Sequence, residues 1–328
     1  MTVPRLLVAL RPWEELEKVL AERLPSIEWG YPSDVLPAQG ASVEAMLLGS
    51  VERELGDADL RPLTHLQFVQ RVYTGMDGVP FDRFPPGVRF AGNVGAYAPF
   101  VSEHAVALAL ASARELPRAH ALVQSGVLRP PPMNRLLWGR TVVILGYGEI
   151  GRAIADRLAG FGVRVLGLNR TGKMAPGCAG MFPANRLVEA VREGDFVFDT
   201  RPLTKLTRGT IDRQVLEAMK PTAVFINVGR AGTVQEEALY RHLVEQPEFR
   251  AALDVWWDED FAGSRLEHRF PFAGLANFVG TPHCAGFGPG VDEYVLRRAV
   301  ANLERFFSGQ EPRHLIDPAE YERSEGPE

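Results

Sequence analysis

TVVILGYGEIG, residues 141–151, joins a short apolar run to a glycine-rich turn. Thr141 to Leu145 is mostly β-branched and apolar, the pattern of a strand buried on both faces. Gly146, Gly148 and Gly151 follow with G-x-G-x-x-G spacing, and Ile150 to Leu158 (IGRAIADRL) takes up helical periodicity. Each glycine has a physical reason. Gly146 permits the tight turn, Gly148 lets backbone approach a pyrophosphate, and Gly151 lets helix and strand pack closely. The helix start, with Tyr147, Glu149 and Ile150 beside the glycines, offers N–H groups and a positive dipole end to phosphate. A lone glycine pattern is weak evidence. Here a strand precedes it, a helix follows it, and a second strand, Val163 to Leu168, closes a βαβ unit. That context predicts dinucleotide binding over a structural glycine turn in some other α/β protein.

Strand-like runs continue downstream at Asp195–Asp199, Ala223–Val228, Ala251–Val255 and Phe278–Val279, with helices at 212–219 and 235–246 between them. The alternation predicts a doubly wound parallel sheet. Upstream, Arg5–Leu10 reads as a strand and Trp13–Leu24 as an amphipathic helix with Trp13, Leu16, Val19, Leu20 and Leu24 on one face. Ala45–Leu48, Phe68–Tyr73 and Val88–Ala91 add strands, so the first hundred residues predict a smaller parallel-sheet domain. Its loops Thr74–Gly78 and Gly92–Ala96 fall at strand carboxyl ends, where such sheets bind ligands. Phe100–Leu116 reads as a long helix, a short helix follows, and RPPPM at 129–133 breaks the pattern. Gly288–Ser308 is helical and amphipathic. The polar residues from Pro318 onward either return to the first domain or fray.

The chain of 328 residues is 46% hydrophobic and 23% charged, which suits a globular protein of two domains. With a net charge of -5 and no basic stripe, nucleic acid and anionic membrane are not expected partners. No apolar run approaches the ~18 residues of a bilayer span, and RLLVAL near the start is too short for a signal h-region. Cys178 and Cys284 are the only cysteines and make no disulfide framework, so a cytoplasmic location is expected.

Five stretches stand in a telling order: GYGEIG, RPLTKLTRGTID (201–212), INVGRAG (226–232), LDVWWDE (253–259) and TPH (281–283). Together with RVYTGMDG at 71–78 they resemble the D-isomer-specific 2-hydroxyacid dehydrogenase family, over most of the chain. The resemblance implies a Rossmann-type domain, residues 105–292, inserted in a smaller flavodoxin-like α/β substrate domain built from 1–104 and 293–328, and a homodimer. It implies a catalytic set of Arg230, Glu259 and His283. It places substrate contacts at Thr74 and Gly75, with Arg230 and His283. It implies cofactor contacts at Val101, Pro202, Leu203, Thr207, Gly229 and Asp254, the last holding the nicotinamide carboxamide.

The chemistry needs these residue types. Reduction of a 2-keto acid adds hydride to carbon and a proton to oxygen. Histidine titrates near working pH and can donate that proton. A carboxylate on its other nitrogen orients the ring and favours the imidazolium. Arginine grips a carboxylate bidentately. Taken singly, His283 is an ordinary loop residue, Glu259 part of the solvated run Asp258-Glu259-Asp260, and Arg230 a surface charge; the ordered set favours the functional reading. For Asn93 the ordinary-turn reading and the site reading stay even. For at least one of Trp256 and Trp257, simple core or dimer packing is the preferred reading.

Departures from the family pattern are informative. Arg201 stands where a small or apolar residue is usual, and could meet a phosphate, as could Arg71. After the second strand come Asn169-Arg170-Thr171, with Lys173 beyond. NAD users place Asp or Glu here, about 20 residues past the glycines, for the ribose 2′-hydroxyl. Asn169 cannot repel a 2′-phosphate and Arg170 can pair with one, so NADP is expected over NAD. The expected activity is NAD(P)-dependent reduction of a small 2-keto acid, of the glyoxylate or hydroxypyruvate type, with no metal. A phosphoglycerate dehydrogenase-like enzyme and a dinucleotide-sensing binding protein of the same fold are the rivals.

Overall fold

The computed structural model describes residues 5–33, 42–129, 134–260, 265–266 and 269–321. Most of the expected breaker at 129–133 lies outside the described residues, as do residues 322–328. The chain divides into two compact units, Met1–Tyr97 with Gly288–Glu328, and Ala98–Phe287. These junctions differ from the expected 104/105 and 292/293. Helix Ala98–Ala113 packs along most of its length on strands of the second unit, and helix Val291–Phe307 packs on the first.

The second unit is a seven-stranded sheet. Its strands are β6 (Thr141–Leu145), β7 (Arg164–Asn169), β8 (Gly180–Pro183), β9 (Phe196–Asp199), β10 (Val224–Asn227), β11 (Arg250–Leu253) and β14 (Phe278–Gly280), while β12 (Glu259–Asp260) and β13 (Arg265–Leu266) pair as a separate antiparallel ribbon. Their spatial order is β14-β11-β10-β9-β6-β7-β8, and every pairing is parallel. The order reverses between β6 and β9, the kind of switch point where α/β sheets hold ligands. Alternation sends Val143, Leu145, Val197, Phe225 and Leu253 to one face, where they meet Val215, Leu216, Leu239 and Leu243 from helices Arg213–Ala218 and Glu236–Glu245. Burying each such side chain contributes roughly 1.5–3 kcal/mol. On the other face helix Ala98–Ala113 packs on β10, β11 and β14 and against helix Glu149–Leu158. Asp212 caps its helix by accepting the N–H of Val215 at 2.9 Å.

The first unit has strands β1 (Leu6–Ala9), β2 (Trp29–Gly30), β3 (Ala45–Leu48), β4 (Phe68–Arg71), β5 (Arg89–Ala91) and β15 (Leu315–Ile316). They lie in the order β15-β5-β4-β3-β1-β2, all parallel except the antiparallel edge strand β15. The tail beyond the last helix therefore returns to this sheet. Helix Glu14–Arg23 opens on Glu14, Glu15 and Glu17 and closes on Arg23, charges that suit its dipole. It packs on helix Val291–Phe307, with Arg23 pairing Glu304 at 2.5 Å, while Phe306 stacks on Phe68 with centroids 5.3 Å apart.

Candidate active site

The residues singled out in the second unit stand at the carboxyl ends of neighbouring strands. Thr281 and His283 follow β14, Asp254 follows β11, Gly229 and Arg230 follow β10, Thr200 and Arg201 follow β9, Gly146 follows β6, and Asn169 ends β7. One edge of one sheet thus carries these residues, while Val101 lies on helix Ala98–Ala113 and Glu259 in a separate two-stranded ribbon.

The glycine turn is shaped by close approach. Gly146 has φ +86°, and a Cβ there would lie 3.0 Å from the backbone nitrogen of Arg201. A Cβ on Gly151 would lie 2.9 Å from Cγ2 of Ile144 and 3.0 Å from the carbonyl oxygen of Gly146. At Gly148 a Cβ would meet nothing nearer than 3.9 Å, so space lies open over the turn at the start of helix Glu149–Leu158. Open backbone beside a helix N-terminus fits a pyrophosphate. The Tyr147 ring is buried instead, its hydroxyl donating to the Pro176 carbonyl at 2.9 Å, and burial pushes its phenol pKa up. Glu149 pairs with Arg152 at the surface, which leaves Glu149 and Ile150 their backbone as the part that suits phosphate.

Asn169 closes its own loop. Its side-chain oxygen accepts the N–H groups of Thr171 and Gly172, and its amide donates to the Lys173 carbonyl at 2.8 Å. Arg170, Thr171 and Lys173 stand exposed on that loop. Thr207 likewise holds its own loop, donating to the Pro202 carbonyl at 2.6 Å and accepting the N–H of Thr204 at 2.9 Å. Gly229 is tight: a Cβ would lie 2.7 Å from the carbonyl oxygen of Arg201. Val101 is buried on helix Ala98–Ala113.

Arg201 is not placed to meet a ligand phosphate. It is 6% exposed, and its guanidinium grips both oxygens of the buried Asp199 at 2.9 and 2.7 Å and donates to Thr210 at 3.0 Å. In the first unit, Arg71 donates to the carbonyls of Gly75 and Asp77, and the Thr74 hydroxyl donates to the Asn93 carbonyl at 3.0 Å. The buried Asn93 amide ties down the Val72 and Val295 carbonyls, which favours the structural reading of that side chain.

His283 and Glu259 meet: Nδ1 and Oε1 lie 2.8 Å apart, with both side chains partly exposed. His283 has φ +50°, a left-handed conformation that costs a non-glycine residue roughly 1–2 kcal/mol. Such backbone persists where its surroundings over-determine it. Asp254 does much of this. It is 1% exposed and accepts the Thr281 hydroxyl at 2.6 Å and the N–H groups of Cys284 and Ala285 at 2.9 Å each. Burial pushes the Asp254 carboxyl up, but hydrogen bonds from His104, Thr281, Ala285 and Cys284 outweigh it and hold the pKa below the usual range. His104 Nε2 reaches the Thr281 hydroxyl at 3.0 Å. Burial, then the Asp254 charge, pushes the Cys284 thiol up.

His104, Thr281 and Cys284 were not singled out from the sequence. A signal existed: His104 follows Val101 by one helical turn on the same face. Donor atoms of His104, Asp254 and Cys284 lie within 4.8 Å of one another, a spacing that hydrogen bonding to Asp254 accounts for.

Residues 106–285 match the family described as D-isomer specific 2-hydroxyacid dehydrogenase, NAD binding domain. The chain is 31% identical over 332 residues to the glyoxylate reductase of Thermococcus onnurineus, covering 96% of each. It is 30% identical over 245 residues to the hydroxypyruvate reductase of Thermotoga maritima, covering 74% of this chain and 77% of that one. Among solved structures, the NADPH-dependent glyoxylate/hydroxypyruvate reductase of Sinorhizobium meliloti, in complex with NADP and malonate, superposes with a TM-score of 0.75 at 26% identity, covering 98% and 99% of the two chains. Among the described residues no helix is long and apolar enough to cross a membrane. The family match runs through the glycine turn, the strand before Arg230 and the His283 loop alike, and the chain belongs to the D-isomer specific 2-hydroxyacid dehydrogenase family of oxidoreductases.

Proposed function

We propose that the protein is an NADPH-preferring reductase of small 2-keto acids of the glyoxylate or hydroxypyruvate type, with His283 as proton donor. The observation that carries this reading is the His283–Glu259 pair, 2.8 Å apart at the carboxyl edge of a dinucleotide-binding sheet. When bound, the reduced nicotinamide supplies the hydride. Glu259 engages Nδ1, so Nε2 is the ring atom that hands a proton to the substrate oxygen. Arg230 grips the substrate carboxylate. Thr74 and Gly75 are proposed as substrate contacts on the family resemblance alone, and so is the contact of Asp254 with the nicotinamide. Relatives named for glyoxylate and hydroxypyruvate support the substrate class. The engagement of Arg201 with Asp199 weighs against a phosphorylated substrate held by that residue.

The test is oxidation of NADPH and NADH against a panel of glyoxylate, hydroxypyruvate, 3-phosphohydroxypyruvate and longer 2-keto acids. Turnover highest with the two small acids supports the reading. No turnover with any of them, while NADPH still binds, overturns it in favour of a sensing protein.

A cytoplasmic location and a homodimer belong to the same proposal. Helix Leu116–Gln124 carries no buried residue, and Leu116, Val123 and Leu128 stand exposed along it and just beyond it. An apolar surface of this kind suits a second copy of the chain.

A further inference from the structure

We propose that Trp256 is a positioning residue for the proton donor: its backbone N–H holds the Glu259 carboxylate and its indole N–H holds the Thr281 carbonyl. The inference rests on the proposed role of His283. The Trp256 amide donates to Glu259 Oε1 at 2.8 Å, the same oxygen that meets His283 Nδ1. Its indole Nε1 donates to the Thr281 carbonyl at 2.9 Å, the same oxygen that accepts the His283 N–H at 3.0 Å. The ring of His283 and its backbone therefore each share an acceptor with Trp256. One residue fixes both the partner of the imidazole and the turn that holds His283 at φ +50°.

The indole is itself held in place. It is 8% exposed and meets Phe278 edge-on with centroids 5.9 Å apart. Gly280 makes room for it, since a Cβ there would lie 2.9 Å from Cζ2 and Cη2 of the ring. Trp257 is differently employed. Its indole donates to the Val234 carbonyl and its ring stacks on Phe272 in the core. Tryptophan suits position 256 because it joins a large apolar body to one N–H donor at its far edge. Phenylalanine would keep much of the body and lose the donor. Without that bond the turn at 281–283 relaxes, and a small displacement of a group aimed at a reacting atom costs rate steeply.

The experiment compares Trp256→Phe, His283→Ala and the double variant, using the best 2-keto acid of the panel above. Trp256→Phe is expected to lower kcat about tenfold or more while NADPH affinity, read by cofactor fluorescence, stays within about twofold. In the His283→Ala background the same change should cost no further turnover, because a residue acting through His283 has nothing left to act through. A merely structural role would lower turnover equally in both backgrounds, and that result overturns the proposal. Wild-type kcat in Trp256→Phe overturns it too. Should Trp256→Phe fail to fold, Gly280→Ala keeps the indole but pushes its ring aside, and is expected to show the same loss of kcat at unchanged NADPH affinity. An unchanged kcat there overturns the proposal. His283→Ala alone separates the two readings. If it turns over normally, the role of His283 falls and this proposal with it; if it is slow and Trp256→Phe is not, only the role of Trp256 falls.

Discussion

Under the proposed role, the imidazole of His283 serves two unlike neighbours, the Glu259 carboxylate at Nδ1 and a substrate oxygen at Nε2. Removing it should lower kcat by orders of magnitude and leave cofactor affinity nearly intact, as steady-state kinetics and a fluorescence titration of His283→Ala would show. Glu259 holds that ring through Nδ1. Glu259→Gln keeps the size of the side chain and removes the carboxylate, so kcat should fall while NADPH affinity stays nearly intact; an unchanged kcat would separate the pair. Asp254 gives a stability signature. Its folded-state pKa is depressed, so it contributes stability above the unfolded-state value that is lost as pH falls through the folded one. Asp254→Asn should therefore lower Tm at neutral pH and lose much less than the parent on acidification below about pH 4. The proposed preference for NADPH rests on the loop that Asn169 closes. A charge-assisted bond from Arg170 to a 2′-phosphate would contribute roughly 1.5–3 kcal/mol, about ten- to a hundred-fold in affinity. Asn169→Asp with Arg170→Ala should reverse a preference for NADPH; tighter NADH binding by the unmodified protein would show that the loop does not read the phosphate.

The helix behind the glycine turn is seated by an absence of side chain. Gly151→Ala would set a methyl 2.9 Å from Ile144 and 3.0 Å from the Gly146 carbonyl oxygen. Such overpacking costs about 1–3 kcal/mol, so Tm and dinucleotide affinity should fall together. That glycine spacing was readable because the turn is local: strand, turn and helix lie within one βαβ unit. The long central strands were readable for the same reason, being buried runs of β-branched and aromatic residues. What escaped reading was set by distant partners. Strand β8 begins at Gly180 and ends at Pro183, residues depleted in strands, and is tolerated at a sheet edge. Strand β15 is two residues long and exists only because β5 offers an edge. The engagement of Arg201 with Asp199 joins near neighbours, yet its burial depends on Thr210 and Thr233 from elsewhere, which no local pattern announces. At the candidate site, His283 and Glu259, which the structure brings together, were both among the residues the ordered motifs singled out. His104 and the indole hydrogen bond of Trp256 were not, because each joins segments far apart in the chain.

At the scale of the molecule, the second unit has its own sheet, helices and core, all drawn from an unbroken stretch of chain. Residues 98–287 expressed alone should give a cooperative thermal transition and bind NADPH while lacking turnover; a chain that stays unfolded would show that the unit depends on the rest. Light scattering of the full chain should give twice the monomer mass, with Leu116→Glu and Val123→Glu together shifting it to monomer, if the exposed apolar helix meets its copy. The first unit is different, for its last helix and edge strand come from the far end of the sequence. During translation this reverses the usual order. The segment translated earlier waits, its sheet short of strand β15 and of the helix Val291–Phe307, until those later residues have been made. Everything needed by the later segment emerges first and can fold while synthesis continues. The half-built sheet is the part open to chaperones and proteases until Gly288 onward joins it, whereas the nucleotide-binding unit can close once residue 287 has left the ribosome.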